Sequence, residues 1–263
     1  MRDYIMYILI VCLNFFYISK DDDQCAKDHG DRHLHKMIVE HAQILSYVWH
    51  NLHPDCEEIT TRIYKPSKGH VKHPIVLWAQ SSIAHYRKIV SVTESLVKER
   101  KRRGFEKVHE TEKVLLFLKE HEPEISNTSW RDPPKCMPIE YHVDKDGNEF
   151  SVIQSYRLLY AGDKVQIAQL RWKPRTDEPQ WLNECKKYIE SRDDIKKGIL
   201  ERKKKSDQVK KRKRERNQKK RNGTKTLEKE MLNAKNLKRH KHEEDTEKQA
   251  QAIIANILQA KNL

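Results

Sequence analysis

No two of the five cysteines, Cys12, Cys25, Cys56, Cys136 and Cys185, stand in a Cys-x-x-Cys pair. An odd, scattered set argues against a disulfide framework and for a reducing compartment. Without paired-ligand spacing a structural zinc site is disfavoured as well. The chain also lacks internal repeats and has almost no period-two alternation of apolar and polar residues. It has no apolar run of membrane-spanning length: the candidate, "YIMYILIVCLNFFYI" from Tyr4 to Ile18, holds about fifteen residues where a span needs roughly twenty. Arg2 is neutralised by Asp3, Asn14 interrupts the run, and "SKDDDQ" offers no small-residue cleavage site. A membrane or secretory signal is therefore disfavoured against a short buried β-strand within "LNFFYIS", preceded by an extension over residues 1–12.

Net charge is nearly absent from the first 183 residues. Lys and Arg number 53 against 39 Asp and Glu, giving +14 overall. Residues 184–263 hold 26 basic and 13 acidic side chains, a surplus of 13 that leaves about +1 for everything before them. The basicity thus belongs to a tail, which implies nucleic acid, another polyanion, or a solvated charge run with no partner. Beyond about Ser191, "ERKKKSDQVKKRKRERNQKKR" has almost nothing to bury, so a solvated helix or disorder is expected. A last segment places Ala250, Ile253, Ile254, Ile257 and Leu258 at the spacing of a short amphipathic helix.

What is present in the body is helical period. Asp31 to Val48, "DRHLHKMIVEHAQILSYV", reads as a helix ending before "NLHPD"; residues 75–103 read as one long helix stopped by Gly104; "TEKVLLFLKE" reads as a short one. "NTSWRDPPKCMPIEY" must be loop, and "SVIQSYRLLYAGDKVQIAQLRW" one or two helices broken near Gly162. The expectation is a mainly α compact domain over residues 13–183 with a short N-terminal strand, and a basic helical or disordered tail over 184–263.

In the first of these helices Leu34, Met37, Ile38, His41, Ile44, Leu45 and Val48 make the core stripe. His33, Lys36, Glu40, Gln43 and Tyr47 form a second strip beside it, and the third face, with Val39, Ala42, Ser46 and Trp49, is hardly polar. Polar groups confined between apolar surfaces are the pattern of a groove wall. Lys36 and Glu40 lie one turn apart. They are either a plain i,i+4 ion pair or a carboxylate and amine held where water is partly excluded, so that desolvation and attraction oppose each other on their pKa values. His29, His33, His35, His70 and His73 suggest a metal, but His33 and His35 project from different faces. No metal or other cofactor is expected.

"DRHLHKMIVEHAQILSYV", "HPIVLWAQSS" and "KRRGFEKVH", followed by "MPIEY", "SYRLLYAGDK" and "EPQWL", resemble in order and spacing the phage-type pyrimidine-dimer DNA glycosylase (endonuclease V-type) family. The likeness is closer to its divergent viral relatives and spans roughly Leu13 to Leu182. It implies a compact helical fold that grips bent duplex DNA, flips a nucleotide and attacks the anomeric carbon with an amine, with an essential helix-borne glutamate. Glu40 matches that glutamate and His33 a histidine before it. Arginines that flank the glutamate in characterised members fall here on Val39 and Gln43. Those members use the α-amine of a threonine after the initiator methionine; here the equivalent segment begins near Asn14 and no threonine stands there. Lys36 is the substitute amine, able to form a Schiff base if its pKa is lowered by burial.

The catalytic candidates are therefore Glu40, Lys36 and His33. Arg32 and Gln43, beside the strip, are candidates for DNA contact. So is the loop with Lys65, Lys68, His70, Lys72 and His73, suited to phosphates. Tyr64, Trp78 and Tyr86 are either base-stacking or packing residues, and Arg157 and Lys164 either bind phosphate or cap the core. The partner implied is double-stranded DNA, with no membrane. The tail, over residues 202–221, anchors phosphates, serves as a nuclear-import signal or is a simply solvated charge run. The location expected is an intracellular reducing compartment, the nucleus or a site of viral DNA replication. The function implied is a DNA glycosylase with or without lyase activity; the alternative is a non-catalytic nucleic-acid-binding protein.

Overall fold

The computed structural model describes residues 13–67, 69–168, 170–172, 174 and 176–219. The 1–12 extension, Lys68 and the C-terminal amphipathic segment lie outside them. The chain divides into two units, Met1–Lys203 and Lys204–Leu263. In the second, residues 204–219 are helical and almost wholly exposed.

The first unit is built of α1 (Asp22–Asp28), α2 (Asp31–Leu52), α3 (Glu57–Thr60), α4 (Pro74–Gln80), α5 (Ile83–Arg102), α6 (Thr111–Glu120), α7 (Val152–Leu159) and α8 (Gln180–Glu190). A 3-10 turn spans Ile139–Tyr141 and a π-helix Tyr160–Ile167, directly after α7. Residues 193–203 are again helical. The fold is mainly α, and among the described residues no sheet forms; Val143 and Glu149 make an isolated antiparallel bridge.

Residues 13–18 do not make the expected strand. Leu13, Phe15, Phe16, Tyr17 and Ile18 are buried, but their backbone bonds side chains rather than a neighbouring strand. The Asn14 N–H donates to Glu40, the Phe16 carbonyl accepts from the Cys25 thiol, and the Ile18 carbonyl accepts from Arg157 Nε. The continuous burial of residues 13–18 therefore arises from a chain threaded among helices, with no partner strand to pair. The same burial puts the second part of the Tyr4–Ile18 apolar run inside the protein core.

Helix α2 is the central element, packed on α5, α4 and α6, while α1 lies along α5. Leu34, Met37, Ile38, Ile44, Leu45 and Val48 are fully buried, each contributing about 1.5–3 kcal/mol relative to exposure. Ala42, Ser46 and Trp49 are buried too, so only a narrow strip of α2 reaches water. The expected single helix over 75–103 is two, because Ser82 leaves helical geometry and its hydroxyl caps the N–H of Ala84 at 3.2 Å. At the other end, Gly104 takes φ 77°. It donates to the Lys101 carbonyl while Phe105 donates to that of Arg100, a Schellman stop that any Cβ would strain.

Residues 184–203, grouped by composition with the tail, are packed: Cys185, Ile189, Ile195 and Ile199 are all buried. The turn of the α5 terminus is tied to α1 and α2 by Arg103, whose side chain is fully buried. It binds Glu99 at 2.7 Å, Asp31 at 2.9 Å and the Lys27 carbonyl at 2.8 Å. Burial pushes the Glu99 carboxyl up, but hydrogen bonds from Arg102 and Arg103 override it and hold the group below the usual carboxylate range.

Candidate active site

The narrow strip of α2 carries the polar residues that its sequence pattern singled out. Glu40 is 8% exposed. One carboxylate oxygen lies 2.7 Å from Lys36 Nζ, and the other accepts the Asn14 backbone N–H at 3.2 Å. The Lys36 side chain is half open to solvent, at 53%. The pair therefore spans the boundary between core and water, with the acid inside and the amine at the rim. Burial pushes the Glu40 carboxyl above its ordinary value; the charge and hydrogen bond of Lys36, the charge of Lys164 and the Asn14 N–H pull the other way without winning. A carboxylate so placed can take up a proton nearer neutrality than a solvated one, which suits general acid–base work.

His33 sits one turn before Lys36, buried between rings. It stacks on Phe16 at 5.1 Å and meets the edge of Tyr160 at 5.2 Å. Its Nδ1 is buried without a hydrogen-bond partner. Burial, then the charge of Lys164, holds its pKa well below the ordinary value, so the imidazole is neutral. Lys164 enters from the π-helix, with Nζ 5.3 Å from the centre of the Phe16 ring. The structure thus brings Glu40, Lys36, His33 and Lys164 around the segment from Asn14 to Phe16. Asn14 and Phe16 were missed as site residues; the signal for them was the same buried segment, read only as a strand.

Other candidates are placed elsewhere. Trp78 is a packing residue: it is 3% exposed, stacks on His85 at 4.4 Å and donates its indole N–H to the Arg131 carbonyl. Tyr86 is likewise buried, its hydroxyl donating to the Leu118 carbonyl. Arg157 caps the core rather than presenting to phosphate, with Nε on the Ile18 carbonyl and its guanidinium 5.3 Å from the Trp181 ring centre. Tyr64 is half-buried and hydrogen-bonded to Thr111. His73 caps α4 through a ring nitrogen that accepts the Ile75 N–H, and burial lowers its pKa to about 4. It is a neutral cap, not a cation for phosphate.

His70 stacks near Tyr47, at 6.3 Å. Lys65 and Lys72 are exposed, as is Arg32, which donates to the Ala168 carbonyl at 3.3 Å. Gln43 is half-buried on the strip. An open cleft of about 480 Å³ is lined by Tyr17, Asp22, Ala84, Arg87, Lys88, Ser91 and the exposed Trp130; Glu40 is not on its wall. Among the described residues no three His, Cys, Asp or Glu side chains converge as metal donors.

Residues 14–113 match the family model described as pyrimidine dimer DNA glycosylase. The match covers 100 of the 263 residues. The pyrimidine dimer DNA glycosylase segment runs from the extended segment through α1–α5 to the start of α6, and so contains Asn14, His33, Lys36 and Glu40. The π-helix with Lys164, and everything from α7 onward, lies beyond it. No curated protein or solved structure matches the chain.

Proposed function

We propose that the protein is a DNA glycosylase acting on pyrimidine dimers in duplex DNA, with Lys36 as the attacking amine and Glu40 as its proton partner. The observation that carries this reading is the Lys36–Glu40 contact at the core–water boundary, where the acid is buried and the amine reaches out. The match of residues 14–113 to the pyrimidine dimer DNA glycosylase model supports the same class of activity. In the first step Glu40 takes a proton from Lys36. The neutral Nζ attacks C1′ of the damaged nucleotide, and the glycosidic bond breaks with its electron pair going to the base, which takes up a proton. Loss of a second Nζ proton and opening of the sugar ring give a Schiff base, which can be hydrolysed or can eliminate the 3′ phosphate as a lyase does. His33, neutral and with an unpartnered Nδ1, packs on the Phe16 ring of the same segment that Glu40 binds.

The Asn14 nitrogen has a second part to play. It is the group that touches the Glu40 oxygen not used by Lys36, and as an amide its lone pair is delocalised and unreactive. With that nitrogen blocked, Lys36 is the amine next to the acid. The exposed helix over residues 204–219 holds nine Lys or Arg against two acidic side chains, and would add affinity for phosphates without sequence preference.

Borohydride reduction during reaction with a duplex carrying one pyrimidine dimer tests the reading. The full-length protein should be covalently trapped, and Lys36→Ala should abolish the adduct. An adduct of undiminished yield in K36A, mapped to another residue, would remove Lys36 from its role. Tight binding to the lesion with neither base release nor trapping would establish a binding protein instead.

A further inference from the structure

The part of the first unit that lies outside the family match makes a buried ionic knot next to the candidate site. Arg202, 9% exposed, reaches back from the last helical stretch of the unit to the π-helix. Its Nε lies 2.8 Å from one oxygen of Asp163 and 3.1 Å from the other, one terminal nitrogen meets Glu140, and the second donates to the Tyr141 hydroxyl at 3.1 Å. The Tyr141 hydroxyl in turn donates to Asp163 at 2.9 Å. Each nitrogen of the fork thus meets an acceptor, and the two carboxylates give the buried cation its counter-charge.

The knot closes only because two positions have no side chain. A Cβ on Gly162 would stand 2.6 Å from the Tyr141 hydroxyl, and one on Gly198 would overlap a Glu140 carboxylate oxygen and lie 2.9 Å from the Arg202 guanidinium. Asp163 and Lys164 are consecutive within the π-helix, where the Ala168 N–H bonds the Asp163 carbonyl five residues back and the Leu170 N–H bonds that of Lys164. Such widened turns cost helix stability and persist where surrounding contacts hold them, often beside functional sites. Here the wider turn directs Asp163 to the knot and Lys164 to the opposite side, over Phe16.

We propose that Arg202 is a positioning residue: by gripping Asp163, Glu140 and Tyr141 it fixes the π-helical turn that holds the Lys164 ammonium over Phe16, two residues from the Asn14 N–H that Glu40 accepts. The region beyond the family match is then an integral part of the site, supplying a second cation whose charge acts on Glu40. The inference rests on Glu40 being the working carboxylate, but its geometry is measurable whether or not the protein is an enzyme. The groups acting on Glu40 are Lys36 from its own helix, Lys164 from the π-helix and the Asn14 N–H from the extended segment.

The test follows the Glu40 carboxyl by carbon NMR in the full-length protein labelled at glutamate carboxyls, with the signal assigned by its loss in Glu40→Gln. Lys164→Met removes a cation that favours the ionised acid, so the Glu40 titration should move to higher pH. Arg202→Met should move it in the same direction, and so should Arg202→Lys, which keeps the charge but not the fork. The double variant R202M/K164M should move it no further than K164M alone. Asp163→Asn, which loosens the grip without changing side-chain size, serves if R202M does not fold. An unchanged Glu40 titration in folded R202K or D163N, or additive shifts in the double variant, would overturn the proposal. A second readout is trapping on dimer-containing DNA: R202K should slow the step at saturating DNA by about tenfold or more, with half-saturation changing much less. Absence of trapping in the unmodified protein would defeat the enzymatic reading alone and leave the NMR result to decide the role of Arg202.

Discussion

Lowering the pH from 7 to 5 should cost this fold about 4 kcal/mol through two buried histidines outside the catalytic candidates. His29 and His41 are both completely buried. The Nδ1–H of His29 donates to the Cys25 carbonyl at 2.6 Å. That of His41 donates to the Thr93 oxygen at 2.8 Å, since the Thr93 hydrogen is already committed to the Ile89 carbonyl. Each ring therefore holds its proton on Nδ1 and leaves Nε2 bare, and neither Nε2 has a partner. Charging either ring would bury an uncompensated cation, and burial accordingly lowers the pKa to about 4 for His29 and about 3 for His41. A histidine whose folded pKa lies below the unfolded value of about 6.5 contributes stability that is complete above that value and is lost as pH falls toward the folded one.

At pH 5 each ring has crossed about 1.5 units of that window, which is about 2 kcal/mol apiece at 1.36 kcal/mol per unit. Domains of this kind hold about 5–15 kcal/mol in total. Glu40, raised by burial, titrates with the opposite sign and favours the fold on acidification. The decisive quantity is therefore the difference between variants. Urea unfolding at pH 7 and pH 5, followed by circular dichroism, should show His41→Asn losing about 2 kcal/mol less between the two pH values than the unmodified chain. Equal losses in both proteins, at equal denaturant slopes, would refute the reasoning.

Three further outcomes are expected. Glu40→Gln should abolish dimer-dependent trapping without lowering the midpoint of urea unfolding by more than about 1 kcal/mol equivalent, because a neutral isostere relieves a desolvated charge. Arg103→Met should cost about 3–5 kcal/mol in the same unfolding assay, since it leaves Glu99 and Asp31 without the buried cation that both face. Replacing Arg212, Lys213 and Arg214 by Gln should reduce the slope of log affinity against log salt by about 2–3 on undamaged duplex, as expected if each contacts one phosphate.

The α2 strip could be read from its sequence because a helix face is a local property: residues three and four apart share a side, and no distant contact is needed to place Lys36 beside Glu40. The same reasoning overran at Ser81 and Ser82, where the apolar positions on both sides continue the helical period but a hydroxyl cap breaks the backbone. It left Trp78 and Arg157 open between DNA contact and core roles, because their partners, His85 and Ile18, are seven and 139 positions away. Residues 184–203 were hidden by dilution, with Ile189, Ile195 and Ile199 set among charged neighbours whose density looks like that of the tail. The ionic knot of Arg202 was beyond reach altogether, because it joins positions 140, 141, 163 and 202, and nothing in a one-dimensional pattern says that those four meet.

The carboxylate at the centre of the site has two oxygens and two nitrogen partners, and that fact sets the order in which its chemistry can be assigned. Lys36 Nζ, at 2.7 Å, ends a half-exposed flexible stem at the rim, from which a sugar could be reached; the Asn14 nitrogen, at 3.2 Å, is fixed in the backbone. An amine and an amide at one carboxylate differ in a single respect that matters here, an available lone pair. If the Asn14 nitrogen were instead a chain terminus, it would be the better-placed nucleophile, already inside the protein and needing no movement, while Lys36 would act as the solvent-side cation. The two cases predict different trapped peptides: one containing Lys36, the other beginning at Asn14. Under the proposed chemistry Glu40 has the same task in both, because either amine must surrender a proton to a buried base within reach, and Glu40 contacts both nitrogens from its place on α2.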